Sequence, residues 1–210
     1  MTKQNILLIT LLSFATVLLG VLLKEALKVD ELVLNSLAEQ FSREQIDKML
    51  PFQNKLQRIN YFFIPLMLLI KVSIIAAVLD AGCFFFDKEI KYKKLFNIVV
   101  RAEFIFLLVI VFKTAWFYFF RQSYTLEELQ YFYPLSVLSI TGYEGLQPWY
   151  IYPMQVFNLF EAAYWLILAW HIAKELKITT GKALTIVAGS YGVALLVWIA
   201  GVMFFTLNIS

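Results

Sequence analysis

A single cysteine, Cys83, and a single histidine, His171, stand among 210 residues. One cysteine excludes an internal disulfide and any thiolate cluster. Zinc, haem and di-iron centres draw on several converging His, Cys or carboxylate ligands, so neither a metal nor another cofactor is expected. Charge is scarce as well: only 16% of residues are Asp, Glu, Lys or Arg, against roughly a quarter in soluble domains. The net charge of +3 carries no nucleic-acid signature, because no Lys/Arg-rich run is interleaved with exposed aromatics. No G-x-S-x-G, H-E-x-x-H or Walker pattern occurs. Gly142 and Gly145 flank only two residues of a turn-rich loop and make no phosphate cradle.

What the chain has instead is grease. Hydrophobic residues make up 61% of it and the mean hydropathy is +0.74, more than one small core can hide from water. Lipid is the solvent that tolerates this excess. A spanning helix needs about 20 mostly apolar residues, and five stretches qualify: 6–23, 61–81, 95–120, 154–172 and 183–207. Backbone groups in hydrocarbon must bond internally, and none of these runs alternates as barrel strands do. The expected fold is therefore all-α, a single polytopic membrane domain over 1–210. The first run is longer than a signal-peptide core and lacks a small-x-small cleavage site, so it reads as an uncleaved span.

Two long connections carry pattern of their own. In 24–60, Val29, Leu32, Val33, Leu37 and Phe41 keep helical spacing, and Ser42-Arg-Glu-Gln45 reads as a capping box. Ile46, Met49, Leu50, Leu56 and Ile59 form a second apolar stripe, with Pro51 as the expected break. Two amphipathic helices result, lying on the membrane surface or on the other long loop. That loop, 121–153, is crowded with Tyr and Trp, which suit the headgroup level or a lid. Thr125-Leu-Glu-Glu128 opens a short helix over 126–133, stopped by Pro134.

Lys88, Lys91, Lys93 and Lys94, then Lys174, Lys177 and Lys182, share a side with Lys3, whereas the aromatic loop has only Arg121. The positive-inside rule then puts the N-terminus in the cytoplasm and the C-terminus outside, although the basic residues of 24–60 oppose it. A bacterial inner membrane fits this layout, with the lipid bilayer and a membrane-protein partner or second copy as the expected partners.

Ionisable groups inside spans are costly and usually pair. Lys71 lies midway along the second span. Lys113 and Glu161 both fall roughly 10 Å below the outer surface at 1.5 Å per residue, an expected ion pair. Nearer the other side, Asp80 is expected to meet Arg101, with Glu103 close by. These six residues are the candidate polar network, either fixing helix register or lining a path. A dyad of Cys83 and His171 is the enzymatic alternative.

The order of parts resembles the Yip-domain family of five-span membrane proteins, whose best-known members interact with Rab-type GTPases. The resemblance is carried by Asn158-Leu-Phe-Glu161, Trp165-Leu-Ile-Leu168-Ala-Trp and Thr180-Gly-Lys-Ala183, and by the span end at Asp80 followed by Lys93-Lys-Leu-Phe96. It covers 50–210. The long N-terminal region and the Asp-Leu-Tyr-Gly-Pro type signature of eukaryotic members are not seen, so the chain is similar to compact bacterial-type relatives and Rab binding is not implied. The resemblance implies five spans and a non-enzymatic scaffold or accessory role in membrane organisation or transport. A small transporter or permease subunit, with Lys71, Lys113 and Glu161 along a polar path, is the competing expectation.

Overall fold

The computed structural model of the chain describes residues 3–39, 41–121 and 123–209. It is 84% helical, with no strand among the described residues. Four helical segments are long and apolar enough to cross a membrane: Lys3–Ala26, Ile59–Phe85, Tyr92–Phe120 and Thr180–Ile209. Each contains one of the expected spans and extends it. Even the 24-residue Lys3–Ala26 reaches about 36 Å, more than a hydrocarbon slab of about 30 Å requires. Their outer faces are greasy: Phe62, Phe85 and Ile209 are at least 80% exposed. A patch of that character has no aqueous explanation in a monomer.

Helix α1 is Lys3–Ala26 and α2 is Val29–Ala38. Helix α3 runs unbroken over Arg43–Phe85, 43 residues, with Pro51 and Pro65 inside it. The expected break at Pro51 is thus corrected. A proline removes one N–H and can bend a helix without ending it, and helix formers continue on both sides. The Ser42 capping box forms, its backbone N–H donating to Gln45 Oε1 at 3.0 Å. The third span is α4, Tyr92–Glu103, joined through Phe104 to α5, Ile105–Phe120.

The aromatic loop is built from α6 (Leu126–Tyr131), α7 (Val137–Thr141) and α8 (Pro148–Val156). In the Thr125 capping box, Thr125 N–H donates to Glu128 Oε2 at 2.8 Å and Glu128 N–H to Thr125 Oγ1 at 3.1 Å. Helix α6 ends two residues short of the expected Tyr133, because the positions before Pro134 turn extended. Leu27, Phe117 and Leu129 form a small core here, against which Val29 and Leu32 of α2 and Tyr124 and Phe132 pack.

The expected uninterrupted span 154–172 is corrected. Helix α8 stops at Val156, and α9, Leu159–Leu176, starts only after Asn158, whose φ of −140° and ψ of 162° are extended. The chain around the break pairs with the loop: Val137 N–H donates to Phe157 O at 2.9 Å and Leu159 N–H to Leu135 O at 3.1 Å. Irregular backbone needs such protein partners where water is scarce. The last span is also irregular. It comprises α10 (Thr180–Val187), a π-helical turn (Ala188–Gly192) and α11 (Val193–Ile209). The main core gathers α3, α4, α9 and α10, with Leu79, Leu95, Leu168 and Val187 fully buried.

Candidate functional site

Four packed elements, α3, α4, α9 and the π-helical turn, bring a polar cluster to the middle of the bundle. Glu103, on α4, is 2% exposed. Its Oε2 takes a 2.7 Å ion pair from Lys71 Nζ of α3, and its Oε1 accepts from the Tyr164 hydroxyl of α9 at 3.0 Å. The Lys71 ammonium also lies 4.5 Å from the centre of the Phe106 ring. Glu161, in the first turn of α9, accepts at Oε1 from Trp165 Nε1 at 3.0 Å and from the Tyr191 hydroxyl at 2.8 Å. Tyr191 sits on the π-helical turn, and its ring meets that of Tyr164 edge-on at 5.4 Å. The two carboxylates are therefore linked through a pair of edge-to-face tyrosines. Gly192 makes room for this: a Cβ there would lie 2.5 Å from the Trp165 ring.

Depth follows from counting. Glu103 lies 11 residues beyond Tyr92 and Tyr191 lies 11 beyond Thr180, so both carboxylates sit about 16 Å from that end, close to mid-slab. From the loop side Tyr133 approaches the same region. Burial, with the Glu161 carboxylate next, pushes its hydroxyl up to about 12.

Asn158 holds the break beneath this cluster. Its Oδ1 accepts from Glu161 N–H at 2.8 Å, capping α9, while its Nδ2 donates to Gln155 O at 2.8 Å and Val156 O at 2.9 Å. Replacing Asn158 by Ala removes all three. We expect a loss of about 1–2 kcal/mol in unfolding free energy in detergent, the size of a lost helix cap. Gly, which tolerates the position but cannot bond, should do little better.

The six sequence-predicted residues divide. Lys71, Glu103 and Glu161 come together; Lys113, Asp80 and Arg101 do not join them. The expected Lys113–Glu161 pair is corrected: Lys113 forms no ion pair among the described residues. The reason is rotation. The residues just before them meet across α5 and α9, with the Phe112 and Phe160 rings 5.6 Å apart, so Lys113 and Glu161 share a level but each stands about 100° round its helix from that contact. Asp80–Arg101 is corrected too: Asp80 is exposed, and Arg101 Nε donates instead to Asn97 Oδ1 at 2.8 Å. Arg101 and Glu103 are about 200° apart on the helix, so only one can face Lys71. Cys83 is buried and His171 rests edge-on against Trp170 at 4.7 Å. Tyr164, Trp165 and Tyr191 were not anticipated; the only hint was their polar tips inside otherwise apolar runs.

Among the described residues no group of three or more His, Cys, Asp or Glu converges in a way that could hold a metal ion. What the cluster can do chemically is hold two carboxylates inside a bilayer, Glu103 with both oxygens engaged and Glu161 with two donors on Oε1. No protein-family model, curated protein or solved structure matches this chain.

Proposed function

We propose that the chain is a non-enzymatic multi-pass membrane protein of Yip-like, five-crossing architecture, a scaffold or accessory factor in membrane organisation or transport. Its fourth crossing is the broken pair α8–α9, and its membrane is a bacterial inner membrane with the lysine-rich end cytoplasmic. The observation that carries the reading is the closed state of the cluster: Glu103 is buried and both its oxygens are occupied by Lys71 and Tyr164. A charge so committed ties helices together and leaves little capacity to shuttle an ion.

A second reading, a small transporter or permease subunit, is favoured by a separate observation. A helix broken at Asn158 and a π-helical turn at Tyr191 flank Glu161. Discontinuous helices and π-bulges recur at functional sites, in transporters beside the substrate.

Glu161→Gln separates the two. A glutamine can still accept from Tyr191 and Trp165 but loses the charge assistance, so the scaffold reading expects about 1 kcal/mol less stability in detergent. The transporter reading expects unchanged stability with loss of proton flux in proteoliposomes carrying a pH-sensitive dye. That second outcome would overturn our first reading.

A further inference from the structure

At the end of the bundle that holds the N-terminus, a cleft of about 540 Å³ opens between the start of α1, the start of α4 and the end of α9. Lys93, Lys94, Arg101 and Lys174 line it against one carboxylate, Glu175. Glu175 is taken by Lys94. The other three cations form no ion pair among the described residues. Lys174 is steadied over the Trp170 ring at 5.4 Å. Arg101 is held by a chain of amides: its Nε donates to Asn97 Oδ1 at 2.8 Å, and Asn97 Nδ2 donates to Asn5 Oδ1 at 2.7 Å. Asn5 itself is 1% exposed. Orienting the guanidinium through Nε leaves its two terminal nitrogens for an incoming oxyanion.

We propose that this cleft binds a phosphate group of net negative charge, one with no attached cation to neutralise it, with Arg101 as the fork and Lys93 and Lys174 as flanking charges. A planar guanidinium matches two phosphate oxygens, whereas the lysines act as point charges. Arg101 lies nine residues into its span, about 13 Å from the end at Tyr92. Exposed Trp170 and Tyr92 provide ring surface near this end of the bundle. A phosphate seated there can belong to an anionic lipid, whose acyl chains would run along the bundle, or be free inorganic phosphate. Basic pockets between spanning helices suit the former.

The test uses the full chain in mixed micelles with dioleoyl phosphatidylglycerol, dioleoyl phosphatidylcholine or inorganic phosphate, with bound probe read by native mass spectrometry. Phosphatidylglycerol is expected to be retained at least about tenfold better than phosphatidylcholine, the scale of one charge-assisted hydrogen bond. Arg101→Gln is expected to erase that preference, and so is Lys93→Gln with Lys174→Gln, whose side chains are exposed and tolerate replacement. Lys88→Gln with Lys182→Gln, outside the cleft, is expected to keep it. If inorganic phosphate binds with the same dependence on Arg101 and phosphatidylglycerol shows no preference, the source is the free ion and the site stands. Equal retention of all three probes by the unaltered chain overturns the proposal. So does a preference that survives both cleft variants, or one lost equally in the Lys88 and Lys182 variant.

Discussion

Glu103→Ala is expected to lower the unfolding free energy by about 3–5 kcal/mol, the largest effect of any single substitution in the cluster. Removing the carboxylate leaves the Lys71 ammonium without its counter-ion near mid-slab and the Tyr164 hydroxyl without an acceptor. The magnitudes decide which loss dominates. A side-chain hydrogen bond between membrane helices averages about 0.6 kcal/mol and reaches about 1.7 at most. Anything beyond that belongs to the stranded charge. The control replaces the whole group, Lys71→Met with Glu103→Met and Tyr164→Phe, which removes both charges and keeps the volume. Exchanging a buried ion pair for apolar residues of like size is often neutral or stabilising, so this variant should recover most of the loss. Unfolding midpoints in mixed micelles titrated with dodecyl sulfate measure both. A Glu103→Ala loss below about 1 kcal/mol would mean that water or a lipid headgroup already solvates Lys71.

The second large effect is steric. A Cβ at Gly82 would lie 2.3 Å from Ser190 Cβ and 2.5 Å from its Oγ. Helix α3 and the π-helical turn meet there with no room for a methyl group, the close approach that small residues allow between spanning helices. Gly82→Ala is therefore expected to cost about 1–3 kcal/mol through overpacking. Two further variants make this exact in origin. Gly20→Ala, where nothing lies within 4 Å, reports the helix-propensity gain alone. Ser190→Gly combined with Gly82→Ala moves the methyl to the opposite helix and should restore packing. Ser190 Oγ donates only to Ile186 O in its own helix, at 2.7 Å, so its removal strands no buried partner. If the pair is no better than Gly82→Ala alone, the contact does not limit how closely the helices approach.

Much of this arrangement is legible in the amino acids themselves, and for a simple reason. Spans are local: twenty apolar residues in a row announce themselves, and four of the five stretches expected here lie within the helices long enough to cross. The capping boxes at Ser42 and Thr125 are local too and form as read. The fourth stretch misled because its apolar run conceals a stop at Asn158, where the amide bonds back to two carbonyls and the chain leans on a neighbouring loop. That loop is far away in sequence only by accident of connection. Pairing among the charges was harder still. Depth, countable at 1.5 Å per residue, puts Lys71 midway along its span but names no partner; rotation about each helix axis decides that Glu103 and not Arg101 looks toward it. Tyr191 could not be anticipated at all, since a regular helix would aim it elsewhere.

The turn at 188–192 has a mechanical result. A π-helical turn packs an extra residue into one winding, so the rod before it and the rod after it are out of phase by about 100°. The lower section lays Ala183, Ile186 and Val187 into the main core beside α9 and α3. The upper section swings its contact stripe round to α8, where Trp198 Nε1 donates to the Tyr152 hydroxyl at 2.9 Å. The last crossing thus behaves as a crankshaft: one rod grips two differently placed neighbours, which a straight helix bearing the same residues would reach only one at a time.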